Sequence, residues 1–199
     1  MTAVRVAVLA SGGGTNLQAL LDALTDSPLA RVARVITNRP DAGAVQRARQ
    51  SGVATTVLRD PTDTAELLAA LDATPGAELV VLAGYLKLVP SAVVARFRWR
   101  MINIHPALLP AHGGPGMYGR RVHEAVLASG AAESGGTVHY VDEQYDRGPI
   151  IAQARVPVRP DDTPETLAAR VLEAEHELLP RVVLELARRG MPNEPVRIA

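Results

Sequence analysis

The chain has no cysteine among its 199 residues, which removes thiol nucleophiles, cysteine-ligated zinc and redox switching, and fits a reducing compartment such as the cytoplasm. An excess of either charge is missing too: 21 basic residues balance 21 acidic ones. No global field therefore draws the protein onto nucleic acid or an anionic membrane. Long hydrophobic runs are absent. The most apolar stretch, residues 79–86, falls far short of the roughly 20 residues a bilayer requires and is followed by Lys87. The shorter run at 6–10 leads straight into glycines, so it reads as a first buried strand rather than a secretory signal. Repeats, low-complexity tracts and an interdomain linker are also lacking.

What remains is an ordinary globular balance, 47% hydrophobic and 21% charged, which excludes disorder and collagen-like structure. Continuous apolar strands at 6–9, 32–36, 79–82 and 101–104 have the pattern of a parallel sheet buried on both faces, with a weaker strand at 55–58. Leu17, Leu20, Leu21 and Leu24 follow the i, i+3, i+4, i+7 rule of a helix with one apolar stripe. Segments 42–50 and 65–71 supply further helices. After Gly130, strands at 137–141 and 150–158 flank a polar turn at 142–148, which predicts a hairpin and hence a mixed sheet. Thr163 as N-cap, Pro164 at the first helical position and Gly190 past the end frame a long final helix, with Pro180 expected to kink it. The predicted fold is α/β and Rossmann-like: a mostly parallel sheet with flanking helices, a C-terminal β-hairpin and a long last helix.

Three clusters can carry chemistry. Strand one ends in Ser11-Gly12-Gly13-Gly14-Thr15-Asn16 and opens a helix, placing free backbone N–H groups and a positive dipole end together. The third glycine of a dinucleotide fingerprint is missing at Leu17, and no Gly-Lys-Ser/Thr follows, so a single phosphate on Gly14, Thr15 and Asn16 fits better than a pyrophosphate. A tight turn with an ordinary helix cap is the alternative. In the second cluster, Asn103 and His105 lie two apart on one strand face, near the carboxyl end of the sheet where ligands bind, unless they are merely satisfied core residues. In the third, Asp146 sits in the hairpin turn. It either closes that turn or bonds to His105, fixing the ring and raising its pKa.

His139 joins His105 as the one pair suggesting zinc, but the chain offers no helical His pair, Cys or suitably spaced Glu, so no metal is expected. For His112, His123 and His176 surface or capping roles are expected, and for Glu173, Glu175 and Glu177 a solvated helix face. The glycine-rich stretch 111–119 reads as a lid or an idle loop.

At these residues the chain resembles the phosphoribosylglycinamide formyltransferase family. The blocks that carry the resemblance are Val8 through Ala19, Ala83-Gly84-Tyr85-Leu86-Lys87, Asn103-Ile104-His105-Pro106 with Leu108-Leu109-Pro110, and Gly136-Thr137-Val138-His139 leading to Asp146 and Gly148-Pro149-Ile150. They run in order across nearly the whole chain. The resemblance implies a formyl transfer from 10-formyltetrahydrofolate to the amine of a glycinamide ribonucleotide in purine synthesis. It implies Asn103, His105 and Asp146 as catalytic, and Gly14, Thr15 and Asn16 on the phosphate. Glu175 would contact the ribose. Leu86, Lys87, Leu88 and Val89, with Asn103 and the turn from Val141, would receive the folate pterin.

The chain departs from the family at Thr62-Asp63-Thr64, where Ser-Arg-Glu is often found, and in a longer loop around 116–123. The resulting organisation is one formyltransferase domain over 1–199: a phosphate-binding half (1–100), a catalytic and folate half (101–190) and a tail (191–199). Small molecules are its expected partners, with no nucleic acid and no membrane, and a homodimer is left open. Folate deformylation by the same residues is the runner-up, and it would have no use for a phosphate loop. Formyl transfer to charged tRNA is disfavoured by the lack of a second, basic domain. A nucleotide-binding module without catalysis would not need Asn103, His105 and Asp146 together.

Overall fold

The computed structural model describes residues 2–198. Strands β1 (Val4–Leu9), β2 (Ala30–Thr37), β3 (Ala54–Val57), β4 (Leu79–Leu82), β5 (Met101–His105), β6 (Glu133–Tyr140) and β7 (Ile150–Pro157) form one sheet in the order β3-β2-β1-β4-β5-β6-β7. The first five run parallel, and β6 and β7 are antiparallel to their neighbours. The mixed sheet expected from the polar turn is therefore present. Chain order reverses between β1 and β4, and in open α/β sheets the crevice beyond the carboxyl ends at such a switch point is where ligands bind.

Period-two alternation sorts each strand between two cores. Val6 and Val8 face the layer of helices α1 (Thr15–Leu24), α2 (Gly43–Gln50) and α6 (Pro164–Arg188), together with Leu17, Leu20, Leu179 and Val183. Ala7 and Leu9 face α3 (Thr64–Asp72) and α4 (Ser91–Arg96), together with Leu67, Val93 and Phe97. Burying each leucine of the α1 stripe contributes about 1.5–3 kcal/mol, enough to hold a ten-residue helix that would be marginal alone.

Thr163 caps α6 as expected, accepting from the Thr166 N–H in a capping box. Gly190 ends it at φ 73°, with its N–H donating to the Ala187 carbonyl and that of Met191 to Leu186, the double closure that a left-handed glycine permits. The helix is one span across Pro180. Two helices were not visible in the sequence, the one-and-a-half-turn α4 and α5 (Arg120–Ala128), whose buried stripe of Val122, His123 and Val126 includes a histidine. β6 begins four residues earlier than its apolar pattern suggests because Gly135 and Gly136 interrupt it. Both glycines are places of close approach: a Cβ on Gly135 would overlap the Ala154 backbone, and one on Gly136 would lie 3.0 Å from Glu175 Cγ.

Candidate active site

The register of β5 against β6 builds the centre of the site. Asn103 lies opposite His139, and His105 opposite Thr137, while Ile102 and Tyr140 turn to the other face. Asn103, His105 and His139 thus share the α3/α4 face, at the strand end those helices leave uncovered. The turn 141–149 folds back over them and delivers Asp146, as the sequence allowed. Asp146 Oδ2 is 3.6 Å from His105 Nδ1, and its Oδ1 is 3.4 Å from Asn103 Nδ2 and 3.5 Å from His139 Nε2. Asp146 adopts φ 57°, a left-handed conformation that aspartate tolerates better than most residues, and the Gly114 N–H holds its Oδ2 at 2.9 Å.

Oxygen acceptors set the ring states. His105 Nε2 lies 2.9 Å from the His112 carbonyl, so it carries a proton and donates; His139 Nδ1 likewise donates to the Tyr140 carbonyl at 2.8 Å. In the neutral ring, His139 Nε2 then accepts from Asn103 Nδ2 at 3.0 Å. The Asn103 amide is oriented by this contact with its nitrogen toward His139 and Asp146. The bond to Asp146 is long and weak, leaving that proton the more available one.

Burial corrects the electrostatics expected for His105. The ring is 3% exposed, and desolvation lowers its pKa below the ordinary imidazole value, outweighing the raising effect of Asp146 and of the bond to His112. Burial thus favours the neutral form of the resting imidazole and Asp146 the charged one. Burial pushes the Asp146 carboxyl up, but the His139 contact, the field of His105 and the Gly114 N–H together bring it below its usual range.

A cleft of about 360 Å³ opens beside these groups and is lined by Asn103, His105, His139 and Asp146, by Leu86, Lys87, Leu88 and Val89 after β4, and by Val141. All the positions assigned to folate by resemblance therefore share one cavity. Leu86, Leu88, Tyr118 and Tyr145 are exposed and line it, a surface that suits a flat heterocycle. The glycine-rich segment Gly114 to Gly119 forms another wall.

Asn16 and Glu175 also line the cleft, and Asn16 Nδ2 donates to Glu175 Oε2 at 3.0 Å. Glu175 is only 4% exposed, against the solvated face expected from helix composition, and burial pushes its carboxyl up to about 7 despite the Asn16 bond. Gly14 and Thr15 do not line this cleft; Thr15 opens on a neighbouring groove with Arg47 and His176. His123 is buried rather than at the surface, against the wall formed by Pro106 and Val171. His112 acts through its carbonyl.

Sequence reasoning left the side faced by His139 undetermined, and only strand register could settle it. It missed Thr137 as well. That buried hydroxyl donates to the Ala107 carbonyl at 2.6 Å and accepts from the Leu109 N–H and Gln153, fixing the chain just after His105. At Thr62-Asp63-Thr64, where the family pattern has a basic residue, Asp63 instead caps α3 by accepting from the Ala65 and Glu66 N–H groups.

Comparisons with known proteins identify the family. The formyl transferase family matches residues 4–183. The phosphoribosylglycinamide formyltransferase of Arabidopsis thaliana, described as chloroplastic, is 46% identical over 187 residues, 90% of this chain. This chain spans just under two thirds of that relative, 64% of its length. The protein of the same name from Escherichia coli K12 is 37% identical over 187 residues, which cover 90% of this chain and 85% of the relative. The crystal structure of glycinamide ribonucleotide transformylase 1 from Symbiobacterium toebii matches with a TM-score of 0.87 at 40% identity, covering 98% of this chain and 92% of that one. With the family model matching from β1 into α6 and a solved relative sharing the fold, the chain belongs to the formyl transferase family.

Proposed function

We propose that the protein transfers the formyl group of 10-formyltetrahydrofolate to the amine of 5′-phosphoribosylglycinamide, a step of purine synthesis. The observation that carries this reading is the meeting of Asn103, His105 and Asp146, from β5 and a turn over forty residues later, at the wall of one cleft. The amine is itself the nucleophile, so no Ser or Cys is required. It attacks the formyl carbon; the new C–N bond forms as the carbonyl pair moves onto oxygen. The tetrahedral oxyanion collapses, the bond to the folate nitrogen breaks, and that nitrogen takes a proton as the amine loses one.

His105 Nε2 supplies one donor to the oxyanion, which takes the acceptor position that the His112 carbonyl occupies at 2.9 Å. The loosely held Asn103 proton supplies the second. Each such donor is worth about 10²–10³ in rate. The proton lost by the amine passes to the leaving folate nitrogen, and the Asp146 carboxylate beside His105 Nδ1 stabilises positive charge on the ring as Nε2 donates. Leu86, Lys87, Leu88, Val89 and Val141 receive the pterin. Gly14, Thr15 and Asn16 hold the phosphate, and Glu175 accepts from the ribose hydroxyls. The chain works as one domain, with the phosphate held by the first half and the folate cleft completed by the second, which adds Asn103, Val141 and Asp146 to Leu86 through Val89. Its action is cytoplasmic and on small molecules, and a homodimer is compatible with it.

The test is to mix the protein with 10-formyltetrahydrofolate, with and without the ribonucleotide. Formylated ribonucleotide is the expected product. Formate released equally without the acceptor overturns the reading in favour of a hydrolase, and no product at all in favour of a binding module.

A further inference from the structure

In the glycine loop after β1, the start of α1 accounts for the Gly14 carbonyl and the free N–H groups of the first turn, but not for the engagement of the Gly12 and Gly13 carbonyls. All three of its carbonyls are engaged: Gly12 accepts from the Ala44 N–H at 3.2 Å, Gly13 from Arg47 Nε at 2.9 Å, and Gly14 from the Gln18 N–H at 2.9 Å. Among the described residues, no backbone N–H from Gly12 to Asn16 has an acceptor within the chain. The negative ends of these peptide units are drawn back toward α1 and α2, leaving the positive ends free. Close packing makes this possible: a Cβ on Gly14, at φ 74°, would lie 2.8 Å from Ala44 Cα, and one on Gly43 would lie 2.9 Å from the Gly13 carbonyl oxygen.

Of the three donors only Arg47 uses a side chain. Its guanidinium spans two elements, with Nε on Gly13 and Nη1 on Gln18 Oε1 at 3.1 Å, the two-pronged geometry that arginine presents and lysine lacks. Gln18 is in turn held by Asp22, to which its Nε2 donates at 2.8 Å. Among the described residues Arg47 forms no direct ion pair, and Asp22 reaches it only through Gln18.

We propose that Arg47 is a positioning residue for the acceptor's phosphate: through the Gly13 carbonyl and Gln18 it holds the loop with its N–H groups forward, and it adds a fixed positive charge behind them. The proposal rests on the reading of this loop as the phosphate site. It predicts that Arg47 matters for a phosphorylated acceptor and not for the chemistry at the formyl group.

The experiment compares Arg47→Ala and Arg47→Lys with the wild type, using glycinamide ribonucleotide and its dephosphorylated riboside at saturating formyl-folate. In the alanine variant KM for the ribonucleotide rises about 10- to 100-fold, the loss expected for a hydrogen bond from a charged donor. Its kcat stays within about threefold. Riboside kcat/KM is unchanged, inhibition by ribose 5-phosphate weakens by the same factor as ribonucleotide binding, and the lysine variant falls between. Equal losses on riboside and ribonucleotide mean a merely structural role and overturn the proposal, as does an unchanged ribonucleotide KM. If the wild type itself prefers neither acceptor, the phosphate reading fails and takes the role of Arg47 with it.

Discussion

Asn103 Nδ2 lies 3.0 Å from His139 Nε2, and His139 is held in the matching tautomer by the Tyr140 carbonyl at 2.8 Å. The amide is thus aimed by a residue one strand away. Replacing His139 with alanine frees it, and misplacement of this kind costs about 10- to 100-fold in kcat. Folate binding, measured by fluorescence quenching, is expected to remain within about threefold, because the cleft-lining segment after β4, proposed to receive the pterin, is untouched. Unchanged kcat would show that the amide holds its orientation without the ring.

Asn103→Ala and Asp146→Ala are expected to lower turnover by about 10²–10³ each while keeping folate affinity within about tenfold, since the groups removed act on charge that develops only during reaction. Near-wild-type turnover in both variants would remove the catalytic assignment. Stopped-time assays at saturating substrates decide it.

The imidazole of His105 provides a signed test of its neighbour. Burial lowers its pKa and Asp146 partly opposes this, so Asp146→Asn must move the titration further down. Proton and carbon shifts of the ring followed from pH 4 to 8 report it directly, and the acid limb of kcat/KM should move the same way. An upward or absent shift would mean that the two groups are not coupled.

Glu175 links the site to stability. Its folded-state value of about 7 lies above the ordinary 4.5, so its contribution is present in full below pH 4.5 and is lost as pH rises to 7. The loss is about 3 kcal/mol at most. Glu175→Gln keeps the Asn16 contact without the titration. Urea midpoints of the variant should exceed those of the wild type at pH 8 and converge with them near pH 4.5, and parallel pH profiles would contradict the burial argument.

Two glycines of the same loop should differ. Gly14 has φ 74° and meets Ala44 at 2.8 Å, whereas nothing lies within 4 Å of a Cβ on Gly12. Gly14→Ala should cost about 1–2 kcal/mol or more in thermal unfolding, and Gly12→Ala less than about 0.5 kcal/mol. Equal losses would mean that the close packing of α2 on the loop is not what requires glycine.

Much of this architecture is written in local pattern. The parallel strands announce themselves because both faces are buried, and Thr163, Pro164 and Gly190 mark the ends of α6 through rules confined to one helical turn. Asn103 and His105 stand out because strands rarely carry two polar residues facing the same way. What could not be read depends on distant partners. Glu175 looks like any acid on a charged helix until α1 brings Asn16 against it, and the state of His105 follows from how deeply the fold encloses it. α5 was hidden because the glycines before it carry no helical signal and its buried stripe contains His123.

The pairing of Asn103 with His139 makes the frame of β6 a chemical specification. Loss of a single residue between Gly135 and Val138 would exchange the destinations of His139 and Tyr140, sending the ring nitrogen into the greasy interior and the phenol toward the reactants. Such a deletion would leave composition nearly untouched, yet it would dismantle the proposed reaction centre at a stroke. Tolerance to length change should accordingly fall sharply from the 141–149 turn to the strand that precedes it.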